Sequence, residues 1–274
     1  MIKRILLATD GSEPARSAET LALHLAKKLD AELVALFVKD IWLIRFPELL
    51  DFGALTVPIV TYHEEIDRAL EERGQAVLAR LREEAERLGV RFSGKIETGV
   101  PHEVIVHEAR TFDLVVLGRS GAQAGHGATG IGSTAERVAR TSPVPVLVAA
   151  LRFVEPERIL VGYDGSDSAA RALHFVVLLV SGLKLPVAVV SVAETEEEAR
   201  ALAEEGVAYL KAHETEAEVL VLVGDPPRKL VEVQRPEDFL VLGAFGRGRV
   251  LELLLGSTTE YVLRRAPGPL VLVR

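Results

Sequence analysis

Two Asp-Gly-Ser triplets and two glycine-rich stretches hold most of the residues whose types and spacing suit ligand chemistry. Asp10-Gly11-Ser12 ends an apolar run that begins at Ile5, and Asp164-Gly165-Ser166 ends one that begins at Ile159. A carboxylate at a strand end can accept from a ligand hydroxyl or amine, or help to hold a divalent cation. The same triplet also serves as an ordinary turn followed by a cap. Gly243 to Thr258 reads GAFGRGRVLELLLGST. Glycines let backbone amides approach a ligand closely. Gly256, Ser257 and Thr258 set amides and hydroxyls at a predicted helix start, where phosphate binds favourably. Arg247 and Arg249 can add charge there or face solvent, and serine at a helix start is often only a cap. The stretch is not a Walker A loop, because no Gly-Lys-Ser/Thr follows its glycines. A dinucleotide fingerprint would follow the first strand with tighter spacing.

These groups recur in one order along the chain. Ile5–Ser12 (ILLATDGS) is echoed by Ile159–Ser166 (ILVGYDGS), and Thr98–Pro101 by Val223–Pro226. Asp113–Gly118 is echoed by Asp238–Gly243, Gly132-Ser133-Thr134 by Gly256-Ser257-Thr258, and Pro143–Val148 by Pro267–Leu272. Such a repeat predicts two domains, at 1–150 and 156–274, joined near Arg152–Pro156. In the first, strands are expected at 2–8, 32–38, 91–97, 113–117 and 145–149. Helices are expected at 14–29 (capped by Ser12), 62–88, 101–110 and 133–141. Leu70, Val77, Leu78, Leu81 and Leu88 trace the buried stripe of the long charged helix. In the second, strands are expected near 158–163, 186–191, 217–223, 238–242 and 269–273. Its helices are expected near 168–180, 195–213, 227–235 and 257–266. Strands alternating with helices imply right-handed crossovers and a mostly parallel sheet covered on both faces, an α/β fold in each domain. In a doubly wound sheet the ligand crevice lies at the carboxyl ends of the strands, where the Asp and glycine positions gather.

The 274 residues carry 32 Lys+Arg against 40 Asp+Glu, a formal net charge of -8, and no cysteine. Disulfides, thiolate metal sites and cysteine nucleophiles are therefore excluded. The acidic balance argues against nonspecific nucleic-acid binding. The most apolar stretch, Leu173–Val190, is interrupted by His174, Ser181, Gly182, Lys184 and Pro186, so no membrane span is expected. With no secretory leader recognised at the start, a cytoplasmic location is expected.

On these residues the chain resembles the universal stress protein family in its tandem two-domain form, over essentially its whole length. The family signature is Gly, two residues, Gly, nine residues, Gly, then Ser or Thr, and Gly243, Gly246, Gly256 and Ser257 meet it. Gly118 and Gly121 fit as well, but ten residues separate Gly121 from Gly132. The intervening Ala122–Ile131 is rich in glycine, unlike its apolar counterpart Leu251–Leu255. The resemblance implies an adenine nucleotide alpha hydrolase-like fold of two five-stranded sheets, each ordered 3-2-1-4-5. It also implies ATP as ligand, with Mg²⁺ accompanying the phosphates. Asp10 and Asp164 are then expected to hold the nucleoside, with backbone near Val38 and Val190. Gly118, Gly121, Gly132, Ser133 and Thr134 are expected to take the phosphates in the first domain. Gly243, Gly246, Gly256, Ser257 and Thr258 are expected to do so in the second. Family members dimerise along the last strand. In a tandem chain the two halves can satisfy that pairing internally, and a homodimer stays possible.

Asp40–Val60 exists only in the first half and holds the sole Trp; it suits packing on its own domain, a lid or an oligomer contact. The histidines show no ligand spacing and no carboxylate orienter, so no metal site on protein ligands and no catalytic residue is assigned. The expected activity is nucleotide binding in a stress response. Slow ATP hydrolysis, phosphate transfer and a non-catalytic scaffold stand as alternatives.

Overall fold

Alternating apolar strands and amphipathic helices build one continuous sheet from two halves. The computed structural model describes residues 1–45, 59–121, 131–244 and 256–274. The first half comprises β1 (Arg4–Ala8), α1 (Arg16–Leu29), β2 (Glu32–Asp40), α2 (Ile41–Arg45), α3 (Ile59–Leu88), β3 (Phe92–Gly99), α4 (Pro101–Ala109), β4 (Leu114–Leu117), α5 (Ser133–Thr141) and β5 (Val146–Val148). The second comprises β6 (Arg158–Gly162), α6 (Asp167–Leu183), β7 (Val187–Ala193), α7 (Glu196–Ala212), β8 (Ala217–Val223), α8 (Pro226–Val233), β9 (Asp238–Gly243), α9 (Ser257–Arg265) and β10 (Leu270–Val273).

The sheet has ten strands in the order β3-β2-β1-β4-β5-β10-β9-β6-β7-β8, so each half is ordered 3-2-1-4-5. Neighbours within a half are parallel, so each connection between them is a crossover, most of them through a helix. The halves meet along β5 and β10, which run antiparallel with Val148 opposite Leu270 and Val146 opposite Leu272. The carboxyl ends of their strands therefore point to opposite edges of the common sheet.

Central strands β4 and β9 are buried along most of their length, which their uninterrupted apolar runs dictate. One face is covered by α1, α3, α6 and α7, and its core joins Leu25 and Leu81 to Phe175 and Val189. The other is covered by α4, α5, α8 and α9, joining Ile105 and Val138 to Leu230 and Val262. Both apolar layers cross the seam. Burying each such Leu, Ile or Val contributes about 1.5–3 kcal/mol, so the seam shares the stability of both halves.

Two local expectations are corrected. Ser12 does not cap the first helix: the chain makes a 3-10 turn at Glu13–Ala15 before α1, and Ser12 makes no side-chain cap bond. Pro14 has no N–H to offer, and the Ala15 N–H already donates to the Ser12 carbonyl at 3.0 Å. Ser166, followed by Ser168 where the first half has proline, does cap α6, accepting from the Ala169 N–H at 3.2 Å. In α3, Val77 and Leu81 are buried as expected, whereas Leu88 is 38% exposed. The helix ends there, Gly89 turns the chain with φ at 70°, and Ala85 and Val90 fill the core instead.

Candidate functional site

At the carboxyl ends of β1, β2 and β4 lies a cleft of about 460 Å³. Asp10, Val38, Gly118, Gly121, Gly132, Ser133 and Thr134 all line it. The strands deliver Asp10, Val38 and Gly118 to one edge because β1 stands between β2 and β4. The start of α5 brings Gly132, Ser133 and Thr134 to the same edge, and the Gly132 N–H is anchored on the Arg119 carbonyl at 2.8 Å. Gly132, the N-cap of α5, has no side chain to cap the helix, and among the described residues no other side chain does so. Its first amides face the cleft end of the helix, with the positive end of the helix dipole behind them, an arrangement that favours anions.

Two glycines are demanded by this geometry. Gly11 turns the chain with φ at 68°, and a Cβ there would overlap the Val77 side chain. A Cβ on Gly121 would come within 2.7 Å of Asp10 Oδ2, so the missing side chain leaves room for that carboxylate. Asp10 Oδ1 accepts from the Ser12 N–H at 3.0 Å, which orients the group within its own turn.

Behind the turn lies a buried polar node. The Thr9 hydroxyl donates to Glu19 Oε1 at 2.7 Å and accepts from the Gly11 N–H at 3.1 Å. Glu19 is 1% exposed and is paired with Arg80 of α3. Burial pulls the Arg80 pKa down, but the hydrogen bond and charge of Glu19, with those of Glu84, raise it above its usual value. Near the other end of α3, Lys39 is paired with Asp67 at 2.8 Å and Glu71 at 3.2 Å. The hydrogen bond from Asp67 is the main cause that raises the Lys39 pKa. These two clamps hold α3 against α1 and β2, and Leu70 and Arg73 between them form a wall of the cleft.

The second half places its equivalents differently. Asp164 is exposed and repeats the turn, with Oδ1 accepting from the Ser166 N–H at 3.0 Å. Gly256 is the N-cap of α9, which Ser257 and Thr258 begin, and among the described residues no side chain caps it. Gly246 lies outside the described residues, as do Arg247, Arg249, most of Ala122–Ile131 and residues 46–58. Val190 is 1% exposed, and its carbonyl already accepts from the Tyr163 N–H at 3.0 Å. Register pairs Ala8 with Leu36 and Gly162 with Val190, so Val192, not Val190, stands level with Val38. A Cβ on Gly243 would overlap the Ser168 backbone, whereas one on Gly118 would stay 3.2–3.3 Å from its neighbours. Tyr163 replaces Thr9 and donates to Glu205 at 2.6 Å. Burial first, then that hydrogen bond, pushes its pKa up to about 12.

Residues 1–150 and 156–274 each match the Universal stress protein family. The chain belongs to the universal stress protein family. Universal stress protein Slr1230 of Synechocystis is 29% identical over 288 residues, spanning the whole of both chains. Universal stress protein MJ0531 of Methanocaldococcus jannaschii is 33% identical over 150 residues, 54% of this chain and 82% of that one. A universal stress protein structure from Archaeoglobus fulgidus superposes with a TM-score of 0.74 at 24% identity, covering 99% of this chain and 98% of that one. That likeness concerns the fold, two tandem α/β domains with a mainly parallel sheet.

Sequence reasoning missed several groups of this family member. Asp40 and Arg73 line the first cleft, and Arg73 was legible only as a position four residues before Val77, hence on the same helical face. Glu19 reads as an ordinary polar residue of α1, and nothing in its spacing announces a buried carboxylate. Arg119 was hidden by its place beside a glycine. It is 6% exposed, and its guanidinium donates to the Ala266 carbonyl at the end of α9 at 2.7 Å. Burial lowers its pKa, while the negative end of α9 favours its charge. His24 has Glu155, distant in sequence, at 3.8 Å, beyond hydrogen-bond length, and its ring is tilted against Phe153. Among the described residues no group of three or more His, Asp or Glu is arranged to hold a metal. No helix among them is long and apolar enough to cross a membrane.

Proposed function

We propose that this universal stress protein binds an adenine nucleotide, ATP with Mg²⁺, in the first-domain cleft, and serves as a nucleotide-sensing module of a stress response. We take its domain limits as 1–150 and 156–274. The observation that carries the reading is the convergence of all seven first-domain candidates on one cleft of about 460 Å³, a volume suited to a small-molecule ligand. Asp10 accepts from the ribose hydroxyls, and the backbone near Val38 faces the base. Gly118, Gly121 and Gly132 admit the phosphates to the backbone amides, and Ser133 and Thr134 offer hydroxyls beside the first amides of α5. The fit rests on the space that Gly121 leaves beside Asp10. With so few carboxylates nearby, Mg²⁺ is held chiefly through the phosphates and water.

The adenine preference and the stress role follow from family resemblance. The phosphate site follows from the amides and glycines. In the second domain, Asp164, Gly243, Gly246, Gly256, Ser257 and Thr258 are the matching positions, with Val192 level with Val38 in place of Val190. The β5–β10 pairing fits a chain whose two halves replace a two-chain contact. Calorimetric titration of nucleotide-free protein with ATP tests the reading. Binding with micromolar to sub-millimolar affinity is expected. No heat and no thermal shift at millimolar ATP would refute it.

A further inference from the structure

Among the described residues, the two halves differ in the charge they place around equivalent strand ends. In the first cleft the ionisable lining groups are Asp10, Asp40 and Arg73. Sheet register carries Asp10 onto Asp164 and Asp40 onto Glu194. The covering helices supply the third pair. Val77 of α3 sits over Gly11 and Leu202 of α7 sits over Gly165. Four residues before each stand Arg73 and Glu198, one helical turn back on the same face. Among the described residues, one cation with two carboxylates thus becomes three carboxylates.

Arg73 is exposed, and no ion pair engages it among the described residues. The neighbouring cations of that wall are already committed: Lys39 to Asp67 and Glu71, Arg80 to Glu19 and Glu84. Arg119, next to Gly118, turns away to Ala266. Arg73 is therefore the one lining cation available to a ligand, among the described residues. Glu198, by contrast, occupies the first turn of α7 together with Glu196 and Glu197.

We propose that Arg73 selects the charged ligand of the first-domain cleft, and that Glu198 in the equivalent place turns polyphosphate away from the second domain. The chain then takes one nucleotide, not two. This rests on the nucleotide reading of the first cleft. The floor of the second site supports the same asymmetry, because α6 starts directly at Asp167 and its Ser168 backbone packs against Gly243, while the 3-10 turn of the first half leaves Gly118 more room. Arg73 is exposed, so its attraction is screened but acts on several phosphate charges together, and reversing its sign replaces attraction with repulsion.

The test is calorimetry on the full chain with ATP and, separately, adenosine at low and high salt. Wild type, Arg73→Lys and Arg73→Glu are compared. Wild type should take one ATP per chain. Arg73→Glu should weaken ATP about a hundred-fold while changing adenosine less than about three-fold. Arg73→Lys should retain most of the affinity, and the salt dependence should shrink in Arg73→Glu. Two ATP per chain in the wild type would overturn the proposal, as would equal losses for ATP and adenosine, which mark a mere wall residue. Wild-type ATP binding that Arg73→Glu leaves intact rejects the proposal alone. No wild-type ATP binding rejects the nucleotide reading and the proposal with it.

Discussion

Removing Arg80 should cost this protein far more than its partly exposed position suggests. Its partner Glu19 is 1% exposed, and without Arg80 its described side-chain hydrogen bonding falls to the Thr9 hydroxyl alone. Breaking a buried pair by deleting one partner costs about 3–5 kcal/mol, and the access of water to Arg80 argues for about 3. At the scaling for domains of this size that is a fall of roughly 6–12 °C in melting temperature. The second half shows how the cost is avoided: Leu173 stands at the place of Glu19, and Glu205 at that of Arg80 pairs with Tyr163. Accordingly Glu19→Leu with Arg80→Leu should recover most of the stability, since a buried ion pair replaced by apolar side chains is often neutral. It should not recover ligand affinity, because Thr9 loses the acceptor that fixes its hydroxyl over the Gly11 N–H. Urea unfolding of wild type, Arg80→Ala and the double variant, with ATP titration of each, tests both parts. A loss below about 1 kcal/mol in Arg80→Ala, or a double variant no more stable than the single one, would refute the reasoning.

Other expectations follow from single contacts. Gly121→Val should place atoms where Asp10 Oδ2 lies and reduce ATP affinity at least about ten-fold, while near-native circular dichroism shows an intact sheet. Tyr163 has its pKa raised, so the folded state keeps its proton where the unfolded state loses it. Its contribution is complete below about pH 10 and is lost as pH rises towards 12. Tyr163→Phe should therefore flatten the alkaline part of the stability curve, and an unchanged slope in urea titrations at pH 9 to 11 would contradict this. Arg119→Ala deletes a hydrogen bond across the seam and should destabilise by about 1–3 kcal/mol. Amide hydrogen exchange should then speed up at the carboxyl end of α9, and exchange confined to β4 would argue against a link between the halves.

Much of the fold was legible because it rests on local periodicity. The apolar run Leu114–Leu117 and its echo at Phe239–Leu242 announce buried parallel strands, and the Asp-Gly-Ser turns mark both strand ends. What misled was competition for a single group. Ser12 reads as a cap until Pro14 removes one amide and the Ser12 carbonyl takes another. Val190 reads as the end of a strand until register shows its carbonyl serving Tyr163 and the strand running on to Ala193. The cleft-lining glycines and the residues beside them are legible in the sequence, whereas Arg73 and Asp40 reach the cleft only through packing between elements.

The sequence by itself determined that a small α/β unit is written twice, with an Asp-Gly-Ser triplet and a glycine-containing stretch in each. Repeats, turns and amphipathic stripes are properties of short segments and survive without knowledge of their neighbours. Only the tertiary structure decided that the two sheets become one through β5 and β10, and that the halves are unequal around their strand ends. Burial of Glu19, the pairing of Arg80, and the exchange of Arg73 for Glu198 depend on which helix covers which strand. That is set by long-range packing, to which no single segment holds the key.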